Sequence, residues 1–249
     1  MKKYYQTDRY NIKNIKKRKR SNYIYRIYDL IKKTKIKPKG NVLDVGCGDG
    51  EMSFQLKKIF PRATYFGTDI SSKGCNLANS KGIKSKQADL NQIIPFKDKT
   101  FDIIIAQEII EHLIDPDKFL EECNRVLKKD GVIIITTPNL LAWYQRILCL
   151  FGILPTFSEL STRDRRIGLG FLKNVITNNQ PVGHIRIFNK IGLVEIVERY
   201  GFVNSKIVGA QIRYNFSNNI LNSIYNIGDF AFSHFPSLAS DLIIRARKK

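Results

Sequence analysis

Cysteine is scarce in this chain and badly placed for framework chemistry: Cys47, Cys75, Cys123 and Cys149 lie far apart, and no two form a CxxC pair. Neither a metal site nor a disulfide framework is expected, and all four read as reduced, small apolar residues. No run approaches the roughly 18 consecutive apolar residues of a membrane span. The opening MKKYYQTDRYNIKN has no apolar signal core, so a cytoplasmic location is expected. Internal repeats and long low-complexity tracts are also lacking. Acidic residues are few, 22 against 42 Lys plus Arg, which leaves a net charge of +20. Such a field attracts polyanions or an anionic membrane surface, so peripheral membrane contact or nucleic-acid binding stays open. The accompanying wealth of Lys, Ile and Asn is equally what an AT-rich coding bias would give.

What is present is a globular composition, 43% hydrophobic over 249 residues, enough for one sizeable core. The chain is organised around VLDVGCGDG, Val42 to Gly50. An apolar run that ends in glycines at alternate positions reads as a buried strand turning tightly into a helix. Gly46, Gly48 and Gly50 permit positive φ and close approach of a ligand, and the amides opening the helix are expected to point at it.

Ahead of this stretch, residues 1–40 read as a basic, amphipathic helical extension. Ile24, Ile27, Tyr28 and Ile31 recur at helical spacing up to Pro38 and Gly40, behind the Lys16 to Arg20 cluster and Tyr4, Tyr5 and Tyr10. The cluster is a phosphate or headgroup site, or a solvated face. Beyond the glycines a helix ends at Pro61, and ATYFGTD forms a second strand closed by Asp69. That residue lies about twenty positions past the glycines, where a carboxylate can accept from a ribose diol; the alternative is a helix cap with Ser71 and Ser72. A helix from Gly74 to Lys81, a weak strand over 83–88 and Asp89 follow. Phe101 to Ala106 and Val132 to Thr137 are buried strands, separated by a helix over 120–127 with Gly131 at its C′ position. The βαβαβαβαβ rhythm predicts an α/β doubly wound, mostly parallel sheet with its ligand at the carboxyl edge.

The rhythm breaks at 140–183, an apolar segment with Trp143 and Tyr144 followed by a polar, basic one, which reads as a lid insertion or an element that touches membrane. Then GHIRIF leads into a helix expected to bury Ile191, Val194, Ile196 and Val197. Two final strands, 203–211 and 241–247, form an antiparallel pair at one edge and flank a second apolar insertion, 214–236.

VLDVGCGDG, Asp69, Asp89, FDIIIAQEIIEHLIDP, LKKDGVIIITTPN and GHIRIFN together resemble the class I S-adenosylmethionine-dependent methyltransferases, most of all the branch that modifies ubiquinone precursors and lipids. The glycines are spaced G-x-G-x-G, not the G-x-G-x-x-G of dinucleotide oxidoreductases. The resemblance implies a Rossmann-like seven-stranded sheet with an antiparallel edge strand and helical lids, in one domain over 41–249 whose residues 41–139 bind S-adenosyl-L-methionine. It also implies that Asp44 and the Gly46, Cys47 and Gly48 backbone hold the methionine end, Asp69 the ribose and Ile70 the adenine face. Asp89 and the Leu90 backbone would meet the adenine amino group, and Gln107 would line the methionine end. His184 and His112 are the candidate bases, with His234 less supported. The acceptor would be a small or lipid-linked molecule methylated at oxygen. Two other readings are an RNA methyltransferase, against which stands Gln107-Glu108-Ile109-Ile110 in place of an N-P-P-[FY] loop, and a non-catalytic protein of the same fold.

Overall fold

A computed structural model describes residues 23–32, 40–176, 178–212 and 216–249. The Lys16 to Arg20 cluster, the three early tyrosines and Pro38 lie outside these residues. Seven strands form one sheet in the order β3-β2-β1-β4-β5-β7-β6. They are β1 Asn41–Val45, β2 Thr64–Asp69, β3 Lys84–Gln87, β4 Phe101–Gln107, β5 Leu127–Pro138, β6 Phe202–Ala210 and β7 Asp241–Lys248. β1 to β5 pair in parallel, whereas β7 runs against both β5 and β6, so the edge strand β6 has an antiparallel neighbour. The order reverses at β1, whose neighbours are β2 and β4, and a crevice therefore opens beyond the carboxyl ends of these strands.

The β-branched runs explain the centre of the sheet. Ile103 and Ile105 point to one face and Phe101 and Ile104 to the other, and all four are buried. Helices α1 Tyr23–Lys32, α2 Glu51–Ile59 and α3 Ser72–Ser80 cover the first face, on which Ile27, Leu30, Leu56 and Ala78 pack. Arg26 of α1 donates to the Gly209 carbonyl and ties this helix to the far edge of the sheet. The second face is covered by α4 Pro116–Val126 and α6 Lys190–Arg199, through Phe119, Leu120, Cys123, Leu193 and Val197.

Three expectations are corrected. Among the described residues no helix joins β3 to β4, and the crossover helix ahead of β5 stops at Val126, because Leu127 already pairs with Phe101; β5 then bulges, and Asp130 rather than Gly131 takes the left-handed conformation, with φ 62°. Ile191 is 66% exposed, since the inward face of α6 is set by Leu193 and Val197, four residues apart. Cys149 is exposed, while the other three cysteines are buried.

The two apolar insertions meet each other. α5 Trp143–Leu150 stacks Trp143 on Phe232 of α7 Asn219–Phe232, with ring centroids 5.4 Å apart, and a Cβ at Gly228 would lie 2.8 Å from the indole. Asn139 and Phe188 form a parallel bridge, so the first insertion leaves and rejoins the sheet at one point. Asp229 anchors α7: it is buried, accepts from Ser240 and from the Ile212 amide, and desolvation raises its pKa to about 6.

Candidate functional site

The glycine turn follows β1 with Gly46, Gly48 and Gly50 all at positive φ, 74°, 56° and 73°. At Gly46 the need for glycine is steric as well, since a Cβ there would lie 2.1 Å from Cδ1 of Ile109. The amides of the turn, however, are consumed by the protein itself. Gly46 and Cys47 both donate to the Thr68 carbonyl, at 2.7 and 3.0 Å, and Gly48 donates to Asp69 Oδ2 at 2.8 Å. The turn thus contributes a bare, closely approachable backbone, and polar recognition falls to the surrounding carboxylates. The Cys47 side chain turns away, packing its sulfur over Gly67.

Three acidic side chains crowd the edge. Asp44, Asp49 and Asp69 are 2, 3 and 7% exposed, and the nearest cation among the described contacts is Lys81, 3.3 Å from Asp49. Asp44 accepts from Ser53 Oγ at 2.8 Å, a contact across the first turn of α2 that the sequence pattern did not single out. Burial pushes its pKa up to about 7, with repulsion from Asp69 and Asp49 adding to the effect. Burying an ionised carboxylate is costly without a counter-charge. A cation placed beside Asp44 would offset that cost.

Asp69 closes β2. Its Oδ1 accepts from the Ser71 amide at 2.9 Å, and Ser71, not Asp69, is the side chain that caps α3 by accepting from Gly74. Both carboxylate oxygens of Asp69 thus take a backbone amide, Oδ2 from Gly48 and Oδ1 from Ser71. Asp89 accepts from the backbone and side chain of Asn91, both at 3.1 Å, and the Ala88 amide beside it donates to the Asp69 carbonyl. Ile70 is half-buried next to Asp69, while the Leu90 side chain is in the core. Gln107 ends β4, half-buried, opposite Thr136. Glu108 takes a left-handed φ of 53° and folds its carboxylate back to accept from Thr136 Oγ1 at 2.7 Å.

Beyond β4 a single 3-10 turn, Ile110–His112, carries the chain under the first insertion. Here residues 72 positions apart come together: the His112 and His184 rings lie with centroids 5.0 Å apart. The chain over 185–187 forms no regular element; the Ile185 and Arg186 amides donate to the Glu111 carbonyl, at 2.8 and 3.0 Å. Glu159 fixes the other side of the turn by accepting from the amides of Val182, Gly183 and His184. His184 is held below its ordinary pKa, chiefly by burial, and is neutral at physiological pH. His234 lies elsewhere, exposed, at the end of α7, where it contacts the Phe230 carbonyl. Sequence reasoning missed Glu111, which is 2% exposed beside His112, and Glu159.

A seven-stranded sheet in this order, with a glycine turn after β1, is the fold seen in solved S-adenosylmethionine-dependent methyltransferases. Residues 43–135 match the family described as "Methyltransferase domain". The chain is 38% identical over 109 residues to the ubiquinone biosynthesis O-methyltransferase of Pelagibacter ubique, a match covering 41% of this chain and 45% of that one. It is 32% identical over 145 residues to the demethylmenaquinone methyltransferase of Lactobacillus johnsonii, covering 52% and 57%. The chain thus spans about half the length of these curated relatives. The fold is shared with the Haemonchus contortus phosphoethanolamine N-methyltransferase 2 solved with S-adenosyl-L-methionine, at TM-score 0.60, 15% identity and coverage of 99% of this chain and 59% of that one.

S-adenosyl-L-methionine suits the residues present. Its sulfonium and ammonium charges match the carboxylates buried at this edge, Asp44 among them, its ribose diol matches a carboxylate at the end of β2, and the turn at Gly46 has no room for a side chain.

Proposed function

We propose that this protein methylates an oxygen atom of a lipid-linked acceptor. Asp44 and the backbone of Gly46, Cys47 and Gly48 hold the methionine end of the donor, with Gln107 beside it. Asp69 takes the ribose, and Ile70, Asp89 and the Leu90 backbone enclose the adenine. The donor supplies an electrophilic methyl group on sulfur. The chain's own contribution is to position the acceptor and exclude water, which for such an in-line displacement supplies much of the rate. His112 and His184 face the acceptor oxygen from the opposite side, under the 140–183 lid.

The observation that carries the lipid-linked acceptor is the outer face of the joined insertions. Ile220, Ile224 and Ile227 recur at helical spacing on α7 and are 71, 58 and 72% exposed, and Leu150 and Phe151 at the end of α5 are 85 and 76% exposed. An apolar stripe of this kind on a strongly basic protein fits the headgroup boundary of an anionic bilayer, where it would meet an acceptor by its tail. Among the described residues no helix is long and apolar enough to cross a membrane, so the contact would be peripheral.

Transfer of labelled methyl groups to a prenylated phenol and to the same phenol without its tail tests the reading. At least tenfold higher kcat/KM for the tailed compound is expected, together with binding to anionic vesicles that Ile224→Asp/Ile227→Asp abolishes while donor affinity is unchanged. Label entering RNA instead, or equal use of both phenols, would overturn it.

A further inference from the structure

One cation of the first insertion has no anion of its own. Arg165 is half-buried, its Nε is buried without a hydrogen-bond partner, and among the described residues no carboxylate forms an ion pair with it. We propose that Arg165 binds an oxyanion carried by the acceptor, a carboxylate or phosphate group near the hydroxyl that takes the methyl.

Three features separate this residue from an ordinary surface arginine. First, the neighbouring acids are already engaged. Asp164 is held by Arg166, which donates from Nε to Oδ1 at 3.0 Å and from Nη2 to Oδ2 at 2.9 Å. Glu159 accepts from the amides of Val182, Gly183 and His184. A guanidinium has five N–H donors, and that of Arg165 makes one long contact, from Nη2 to the Thr156 carbonyl at 3.4 Å. Secondly, the fold holds the arginine in place. Its amide donates to the Asn179 carbonyl at 3.0 Å. Thr156 is itself fixed by Gln145 of α5, which is fully buried, accepts from the Thr156 amide and donates to Thr156 Oγ1, both at 2.9 Å. A side chain so placed has less freedom to lose when a ligand binds. Thirdly, the acceptor side of the site is adjacent. Thr156 precedes Phe157, whose carbonyl lies 3.4 Å from His184 Nδ1 and whose ring centroid is 5.9 Å from that of His184. Burial is the main cause that holds His184 below its ordinary pKa, and the Arg165 charge adds to it.

An N–H left without an acceptor is costly, and an incoming oxyanion removes that cost. The planar fork of a guanidinium matches two oxygens of a carboxylate or phosphate at once. Arg165 would thus fix one end of the acceptor while the apolar outer face of α5 and α7 meets its tail, which leaves the hydroxyl beside His112 and His184. The arginine takes no part in the bond changes, so its loss should fall mainly on KM. This inference rests on the O-methylation reading and narrows its acceptor from lipid-linked molecules in general to anionic ones. The sequence could not single Arg165 out. In STRDRR three arginines look alike until Asp164 pairs with one of them.

The test compares three tailed phenols that carry a carboxylate, a phosphate or a neutral carboxamide at the same ring position. Transfer of labelled methyl by the full chain should show kcat/KM about 30-fold higher for the carboxylate or the phosphate than for the carboxamide, the order of a charge-assisted hydrogen bond. Arg165→Gln should bring this ratio down to about one, chiefly by raising KM for the anion, with donor affinity unchanged to show that the variant is folded. Arg165→Lys, which keeps the charge and loses the fork, should restore only part of the preference. Equal use of all three phenols by the wild type, or a preference that Arg165→Gln leaves intact, would overturn the proposal. So would a methyl ester formed on the carboxylate, since the anion would then be the nucleophile. Binding is measured separately, by calorimetry with S-adenosylhomocysteine present. Arg165-dependent binding of an anionic phenol without transfer to its hydroxyl would leave the arginine site standing and sink the O-methylation reading.

Discussion

Replacing Asp44 by Asn is expected to weaken S-adenosyl-L-methionine binding by at least 100-fold and, at the same time, to stabilise the ligand-free protein above pH 7. The two effects have one cause. Asp44 is wholly buried at the end of β1, and its pKa is raised to about 7 from an unfolded value of 3.8. Between those two values the folded state binds the proton more tightly than the unfolded state does, so stability falls as pH rises from about 4 to about 7 and levels off above. A displacement of about three pKa units corresponds to a penalty on the order of 4 kcal/mol at alkaline pH. Asn carries no such penalty and can still accept from Ser53. Denaturant melts at pH 5 and pH 8 should therefore differ between Asp44→Asn and wild type mainly at pH 8. For the cationic donor the sign reverses, because ionised Asp44 is the partner its charge needs, and losing one member of a buried charge pair costs about 3–5 kcal/mol. Wild-type donor affinity should accordingly fall as pH drops below 7. Calorimetry showing equal affinity for the two proteins would remove Asp44 from the site.

The second large effect is expected at Gly46. An alanine there must hold a φ of 74° and place its Cβ 2.1 Å from Ile109 Cδ1 and 2.4 Å from Cγ1. The left-handed backbone costs about 1–2 kcal/mol for a residue with a Cβ. Overpacking adds about 1–3 kcal/mol. Gly46→Ala should thus lose roughly 3 kcal/mol of stability in urea melts. In an Ile109→Ala background the clash is relieved and only the backbone part remains, so a double-mutant cycle should give a favourable coupling of about 1–2 kcal/mol. Since Ile109 sits between Glu108 and the turn that carries Glu111 and His112, Gly46→Ala should disturb both the donor and the acceptor side of the site. Additive effects of the two substitutions would contradict this packing.

Much of the parallel sheet and of its carboxyl edge was legible in the sequence, for a physical reason. Buried parallel strands need β-branched runs, a tight strand-to-helix turn needs glycine, and the carboxylates of such an edge follow strand ends, so Asp44, Asp69 and Asp89 could be placed by counting. The misreadings came where a local signal was overridden by tertiary pairing. Lys128 to Gly131 looks like a helix stop, but Leu127 is already drawn into the sheet by Phe101, and Asp130 makes the turn. Ile191 fits an apolar helical face, yet the packing of Leu193 and Val197 turns it outward. The amides of Gly46, Cys47 and Gly48 are taken by the Thr68 carbonyl and Asp69, a pairing across β2 that the glycine spacing does not encode. On the acceptor side, His112 and His184 could be named singly, but their meeting with Glu111 depends on how the 140–183 insertion closes back on the sheet, which no periodicity encodes.

The most direct measurement is a crystal structure of the protein with S-adenosylhomocysteine, the product its donor would leave. The ribose hydroxyls are predicted to lie on Asp69, the adenine between Ile70 and Asp89, and the thioether sulfur to face the cluster of Glu111, His112 and His184. A nucleoside bound away from Asp69, or a sulfur directed away from that cluster, would contradict the account.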